Sequence, residues 1–245
     1  MKFNVLTLFP DMFAGFTGAS IISRAIKADI IDVNLINFRE YSDNKHKNID
    51  DYPYGGGSGM LMTVGPLATA LEENNLTSNK VIYLTPKGKV FDQQDAIDLS
   101  KEKEITFVCG HYEGVDQRFI DRYVTDEYSI GDYVLTGGEL PVMVMIDSIS
   151  RMIEGVLSSN VSFEEESHYN GLLEHPHYTR PAVYEDDEVP KILLSGNHGL
   201  IEEWRFIKSL EITKEKRPEM YNKYVKNETD KKLKKWIKKF EQNDY

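Results

Sequence analysis

Cysteine is nearly absent: the chain of 245 residues has one, Cys109. A single thiol excludes an internal disulfide and any CxxC metal site. Because Cys109 ends the apolar run Ile105-Thr106-Phe107-Val108, it is expected to be a buried small hydrophobe. The GxGxxG dinucleotide loop, the Walker GxxxxGKS/T loop and the HExxH pair are also missing, which removes the commonest nucleotide and zinc sites. No stretch approaches the roughly 18 apolar residues of a membrane span. The opening MKFNVLTLFPDMF has no basic stretch followed by an apolar run and a small-residue cleavage site, so a cytoplasmic location is expected. Positive charge is short as well, with 29 Lys and Arg against 40 Asp and Glu and a net charge of −11. Taken as an average, that argues against a polyanionic partner.

The average conceals a division. Residues 208–239 hold 12 basic and 5 acidic side chains, whereas residues 1–207 hold 17 and 33. Within the basic stretch Leu233, Trp236, Ile237 and Phe240 recur at i, i+3, i+4 and i+7, one apolar helix face surrounded by lysines. Two readings fit: a solvated face on a packed terminal helix, or a surface that tracks phosphates. With 40% hydrophobic and 28% charged residues, the composition is that of a soluble globular protein, long enough for a main domain and a smaller one.

Strand and helix alternate from the start. Lys2–Phe9 reads as a buried strand and Pro10–Ile26 as a helical stretch, and Asp32–Phe38 as a second strand. A polar segment, 39–51, and a glycine-rich turn, 52–60, come next. Helices are expected near 66–73, 93–101, 116–124 and 140–153, and strands at 80–85, 104–109 and 126–130. Such alternation predicts a parallel sheet covered by helices. Residues 158–166 read as an acidic linker, and the remainder as helical, with helices at 189–194, 200–210 and 230–240. No repeat or low-complexity tract is present.

In a parallel sheet, ligands bind at the carboxyl ends of strands. Three loops there are rich in small residues: Thr85-Pro86-Lys87-Gly88, Gly110-His111-Tyr112-Glu113-Gly114, and Ser129 through Pro141. Each alone reads as a plain turn; three after successive strands suit a ligand held through backbone N–H and C=O groups. The blocks Pro53–Met60 (PYGGGSGM), Cys109–Asp116 (CGHYEGVD), Ser129–Pro141 (SIGDYVLTGGELP) and His177–Pro181 (HYTRP) are in order and correctly spaced. They resemble the signature blocks of the bacterial tRNA (guanine-N1)-methyltransferase family, and the resemblance runs essentially end to end.

The resemblance implies an α/β fold: a parallel sheet with a deep trefoil knot in the N-terminal domain, SPOUT-like, plus a small, mostly helical C-terminal domain. It places a knotted S-adenosylmethionine-binding domain at 1–157, a linker at 158–169 and a tRNA-binding domain at 170–245. Knots are rare exceptions to the rule that chains do not thread loops. The resemblance also implies a homodimer whose two subunits build each active site, and methyl transfer from S-adenosylmethionine to N1 of the guanine immediately 3′ of the tRNA anticodon. The donor pocket would comprise Tyr83, Leu84, Thr85, Pro86, Gly110, Tyr112, Glu113, Gly114, Ser129, Ile130, Gly131, Tyr133, Leu135, Gly137, Gly138 and Pro141.

Guanine N1 carries a proton, so the reaction needs a base, together with a cation to steady charge developing on O6. By resemblance Arg151 is the cation; on sequence alone it reads as an ordinary helix-end charge. The base position departs from the family, because Glu166-Ser167-His168 stands where the family has Asp-Ser-Phe. Glutamate keeps the carboxylate but shifts its reach by about 1.5 Å, and a misplacement of that order costs about 100-fold unless something compensates. Apart from the resemblance, Glu166 is one of three solvated acids, Glu164-Glu165-Glu166. Asn170 also replaces an expected Asp, while Glu174 keeps an acid. The implied tRNA contacts are His177, Tyr178, Arg180, Ser195, Asn197, His198, Trp204 and Arg205, residue types that stack on a flipped base or bond its edges. His175 and His177 lack further ligands at metal spacing. Magnesium accompanies the family's activity, but no ligands for it are legible; Glu113 and Glu166 are plausible neighbours. Two other readings remain open at this point: an RNA-binding homologue impaired in catalysis, and a knotted methyltransferase for another RNA position.

Overall fold

A computed structural model describes residues 1–157 and 166–242. The chain divides into two compact units, Met1–Asn160 and Val161–Tyr245. Strands of the first unit are, in order, β1 (Lys2–Thr7), β2 (Asp32–Asn37), the short antiparallel pair β3 (Asp50–Asp51) and β4 (Leu61–Met62), β5 (Lys80–Val90), β6 (Glu104–Cys109) and β7 (Asp126–Ser129). Five of them form a sheet in the order β2-β1-β6-β5-β7, every neighbouring pair parallel. Its helices are α1 (Ala14–Gly18), α2 (Ser20–Lys27), α3 (Val64–Glu73), α4 (Gln93–Leu99), α5 (Gln117–Tyr123) and α6 (Glu139–Ser150).

Side chains alternate across a strand, so each strand feeds two cores. On one face Phe3, Val5, Ile82, Ile105, Phe107 and Cys109 pack with Ala96 and Leu99 of α4 and with Val142, Met145, Ile146 and Ile149 of α6. On the other, Leu6, Val81, Tyr83 and Val108 pack with Leu67, Ala70 and Leu71 of α3 and with Phe119 and Ile120 of α5. Burial on both faces explains why β1, β5 and β6 read as near-continuous apolar runs, and the mixed α/β class with a parallel sheet follows from it.

The described residues of the second unit form a small antiparallel hairpin, β8 (Val183–Tyr184) with β9 (Asp187–Glu188), and three helices: α7 (His198–Lys216), α8 (Pro218–Asn227) and α9 (Lys231–Glu241). Leu172, Ile207, Leu210, Tyr221, Ile237 and Phe240 form its core.

Several expectations need correction. The stretch 10–26 is not one helix: a 3-10 turn, Pro10–Phe13, precedes α1, and extended Ala19 separates α1 from α2. The strand expected to end at Thr85 resumes after an excursion and continues to Val90, because β7 pairs with it on both sides of the excursion. The helix expected to reach Ile153 ends at Ser150, leaving Arg151 in the turn that follows. The expected helix 189–194 is a 3-10 turn, Lys191–Leu194, and the hairpin before it interrupts a region read as helical. Helix α8 escaped notice, although Pro218 at its first turn is a helix-start signal. Of the expected linker, residues 158–165 lie outside the described residues.

Candidate functional site

The excursion within β5 and the loops after β6 and β7 converge around a cavity of about 520 Å³. Every position named for the donor pocket, from Tyr83 to Pro141, lines it. Backbone hydrogen bonds tie the walls together: Gly138 N donates to Gly110 O at 2.9 Å, Glu113 N to Met60 O at 3.0 Å and Met62 N to Gly114 O at 2.9 Å. The glycine-rich segment 53–60 thereby braces the 110–114 loop.

Small residues are required where segments touch. A Cβ on Gly138 would stand 2.6 Å from Cys109 Cα, and one on Gly110 2.8 Å from the Tyr83 ring. Tyr112 adopts φ +57°, a left-handed conformation rarely taken by a tyrosine, and Gly114 adopts φ +120°. Burial pushes the Tyr83 hydroxyl above its ordinary 10.0, with the charge of Glu127 adding to the effect. It stays a neutral hydroxyl in the cavity wall.

A buried polar cluster joins three segments behind this wall. Glu139, the first residue of α6 and 1% exposed, accepts from Thr7 Oγ1 at 2.7 Å, and His111 Nε2 lies 2.9 and 2.8 Å from its two oxygens. Burial alone would raise the Glu139 carboxyl. The hydrogen bonds from His111 and Thr7, with the His111 charge, outweigh that and hold it below the ordinary 4.5. Phe9 meets the His111 ring edge-on at 5.0 Å. Sequence reading missed Thr7, His111 and Glu139 as site residues. His111 and Glu139 lie inside the signature blocks, where backbone contacts drew the attention; Thr7 sits in an apolar strand that carries no signal.

Arg151 lies in the first unit and Glu166 in the second, both partly buried and both engaged in interactions. Asn170 closes a local turn, its Oδ1 accepting from Leu172 N at 3.1 Å. A second cavity, about 410 Å³, lies wholly in the second unit; His175, His177, Tyr178, Arg180 and Arg205 line it, with no acid among its lining residues. Trp204 stands 6.4 Å from the Tyr178 ring. Ser195, Asn197 and His198 lie instead at the start of α7, where Asn197 Oδ1 caps the helix by accepting from Leu200 N. Among the described residues no group of three or more His, Cys, Asp or Glu gathers into a metal cage. Nor, among them, is any helix long and apolar enough to cross a membrane.

A parallel sheet with a backbone-lined cavity at its carboxyl edge defines an α/β protein built to hold a small organic ligand. The model of the tRNA (Guanine-1)-methyltransferase TrmD family matches residues 1–223, and the chain belongs to that family. It is 54% identical over 226 residues to a tRNA (guanine-N(1)-)-methyltransferase of Ruminiclostridium cellulolyticum, covering 91% of this chain and 97% of the relative. A protein of the same name from Alkaliphilus oremlandii is 52% identical over 238 residues, 94% of this chain and 96% of the relative. Another, from Clostridioides difficile, is 54% identical over 227 residues, 91% and 98%.

Proposed function

We infer that this protein transfers a methyl group from S-adenosylmethionine to N1 of the guanine immediately 3′ of the anticodon in tRNA. The observation that carries the reading is the convergence of all the expected donor-site positions on one cavity, in a chain of this family. The cavity suits the donor in size, in its supply of backbone hydrogen-bonding groups, and in having glycines where a side chain would close it.

S-adenosylmethionine supplies an electrophilic methyl group on a sulfonium sulfur. The work left to the chain is to hold guanine N1 in line with that methyl and to take away the N1 proton. Glu166 accepts the proton, and the Arg151 guanidinium faces O6 and steadies its developing charge. The retained carboxylate at 166 supports catalysis despite the longer side chain. Magnesium takes one or two carboxylates plus substrate phosphates. Glu113 is the one acid lining the donor cavity and would be a neighbour of the ion. The acid-free cavity with Arg180 and Arg205 suits a polyanionic substrate, which supports assigning His177, Tyr178, Arg180 and Arg205 to tRNA; the resemblance to the family adds Ser195, Asn197, His198 and Trp204.

The same reading includes a deep trefoil knot in the N-terminal domain, a methyltransferase domain at 1–157, a linker at 158–169 and a tRNA-binding domain at 170–245, and a cytoplasmic homodimer. Leu140 and Val144, four residues apart on α6 and 51% and 46% exposed, favour a subunit contact over an open face. The test is transfer of labelled methyl from S-adenosylmethionine to a tRNA transcript with G 3′ of the anticodon, beside an A-substituted control. Formation of 1-methylguanosine with the G substrate alone is expected; no transfer from protein that binds donor and tRNA would overturn the reading.

A further inference from the structure

Helix α9 lies beyond the residues the family model matches. Its apolar stripe is spent inside the second unit: Trp236, Ile237 and Phe240 are buried, and Trp236 lies 5.6 Å from the Phe206 ring. Lys232 and Lys239 flank that stripe and are fixed to α7 by ion pairs with Glu202 and Glu203, each at 2.7 Å. Lys232 also sits 4.6 Å over the Trp236 ring.

Four lysines remain. Lys231, Lys234, Lys235 and Lys238 follow the same i, i+3, i+4, i+7 spacing, offset by two residues and hence on the opposite side of the helix from Leu233, Trp236, Ile237 and Phe240. All four are exposed, and among the described residues none has a carboxylate partner. Clustered like charges repel, and among the described residues no carboxylate pairs with these four to offset that repulsion. A mixed-sign face would have solubilised the helix equally well. With its apolar face already packed, α9 has nothing to insert into a bilayer, which removes the usual reason for a basic amphipathic helix to lie on a membrane.

We propose that the stripe Lys231-Lys234-Lys235-Lys238 binds backbone phosphates of the tRNA, a contact independent of base sequence. This rests on the tRNA reading given above and adds a second, purely electrostatic foothold to it. Lysine serves as a point charge toward phosphate, without the fork geometry that reads a particular group, so the stripe adds affinity and no base discrimination.

The test compares the full-length protein with a variant carrying Lys231→Gln, Lys234→Gln, Lys235→Gln and Lys238→Gln, and with one carrying arginine at the same four positions. Binding to tRNA transcripts with G or A 3′ of the anticodon is measured as KCl is varied. Each phosphate contact contributes about 0.7–0.9 to the slope of log affinity against log salt, so the glutamine variant should have a slope shallower by about 3. Its affinity at low salt should be at least tenfold weaker, by the same factor for both transcripts, and the arginine variant should bind like the parent. Four exposed positions leave the core intact; should the quadruple variant nevertheless misfold, each single glutamine variant should flatten the slope by about 0.7–0.9.

An unchanged slope would overturn the proposal, as would a weakening confined to the G transcript. Loss of binding to phosphatidylglycerol vesicles with tRNA binding intact would overturn it and assign the stripe to lipid. The two readings fail separately: parent protein that binds tRNA through this stripe but forms no 1-methylguanosine refutes only the methyl-transfer reading.

Discussion

Replacing Glu139 by alanine removes the one acceptor on which the end of β1, the loop after β6 and the start of α6 converge. Thr7, fully buried, would be left with a hydroxyl that has lost its acceptor, and His111, whose side chain is 14% exposed, with a ring N–H in the same position. An orphaned buried donor costs about 1–3 kcal/mol. Two of them, one partly reached by water, place the loss at about 2–4 kcal/mol. Glu139→Gln keeps the shape and one acceptor oxygen, so about half of that loss is expected. The assay is urea unfolding followed by far-UV circular dichroism, because both tryptophans, Trp204 and Trp236, lie in the second unit and are blind to this change. Calorimetric titration with S-adenosylmethionine gives the second readout: His111 lines the proposed donor cavity, and release of its loop should weaken donor binding at least tenfold, about 1.4 kcal/mol. Acid unfolding gives a third readout. The folded-state carboxyl lies below the ordinary 4.5, so its contribution is present above that pH and is lost as pH falls through the folded value. In Glu139→Gln that component of acid sensitivity should disappear. Alanine at 139 with stability within about 0.5 kcal/mol of the parent and unchanged donor affinity would refute the reasoning.

Arg151→Ala should abolish turnover while donor binding, measured by the same calorimetry, survives; a parallel collapse of donor affinity would contradict its proposed place beside O6. Gly138→Ala drives a Cβ to 2.6 Å from Cys109 Cα and 2.9 Å from Gly110 N, both backbone, so the loop must shift and donor affinity should fall by more than tenfold, while Gly15→Ala, with open space around it, should not. Burial pushes the Cys109 thiol well above its ordinary 9.0, with the Glu139 charge adding to the effect. Alkylation of native protein at pH 8 should therefore be negligible and become rapid in urea. Trp236→Ala deletes a buried ring between α7 and α9, and should cost about 3–5 kcal/mol of stability in the second unit, read by the fluorescence of the remaining Trp204.

Legibility in the sequence followed the physics of each element. Strands buried on both faces announce themselves as apolar runs: β1 and β6 are legible to within two residues, and so is the buried first half of β5, whereas its exposed continuation to Val90 is not. The glycine loops were readable because close backbone approach excludes side chains, as at Gly110 and Gly138. The hairpin Val183–Tyr184/Asp187–Glu188 was not readable: all four of its strand residues are exposed, so no alternation of buried and open positions marks it. The Thr7–Glu139–His111 cluster brings together residues 132 and 28 positions apart in sequence, and only tertiary structure reveals such a meeting.

The excursion in β5 has a thermodynamic side. Leu84 and Lys89 both pair with Tyr128, so Thr85, Pro86, Lys87 and Gly88 form a short arch pinned at both feet to the same residue of β7. Proline removes further freedom from the arch, and Gly88 lies against the backbone of Tyr128, where a Cβ would stand 2.5 Å from its nitrogen. A wall held this way has little configurational entropy left to surrender when a ligand arrives. Affinity at this side of the cavity is therefore gained before binding, and lengthening the arch by two glycines would weaken the ligand through entropy, without removing a single contact.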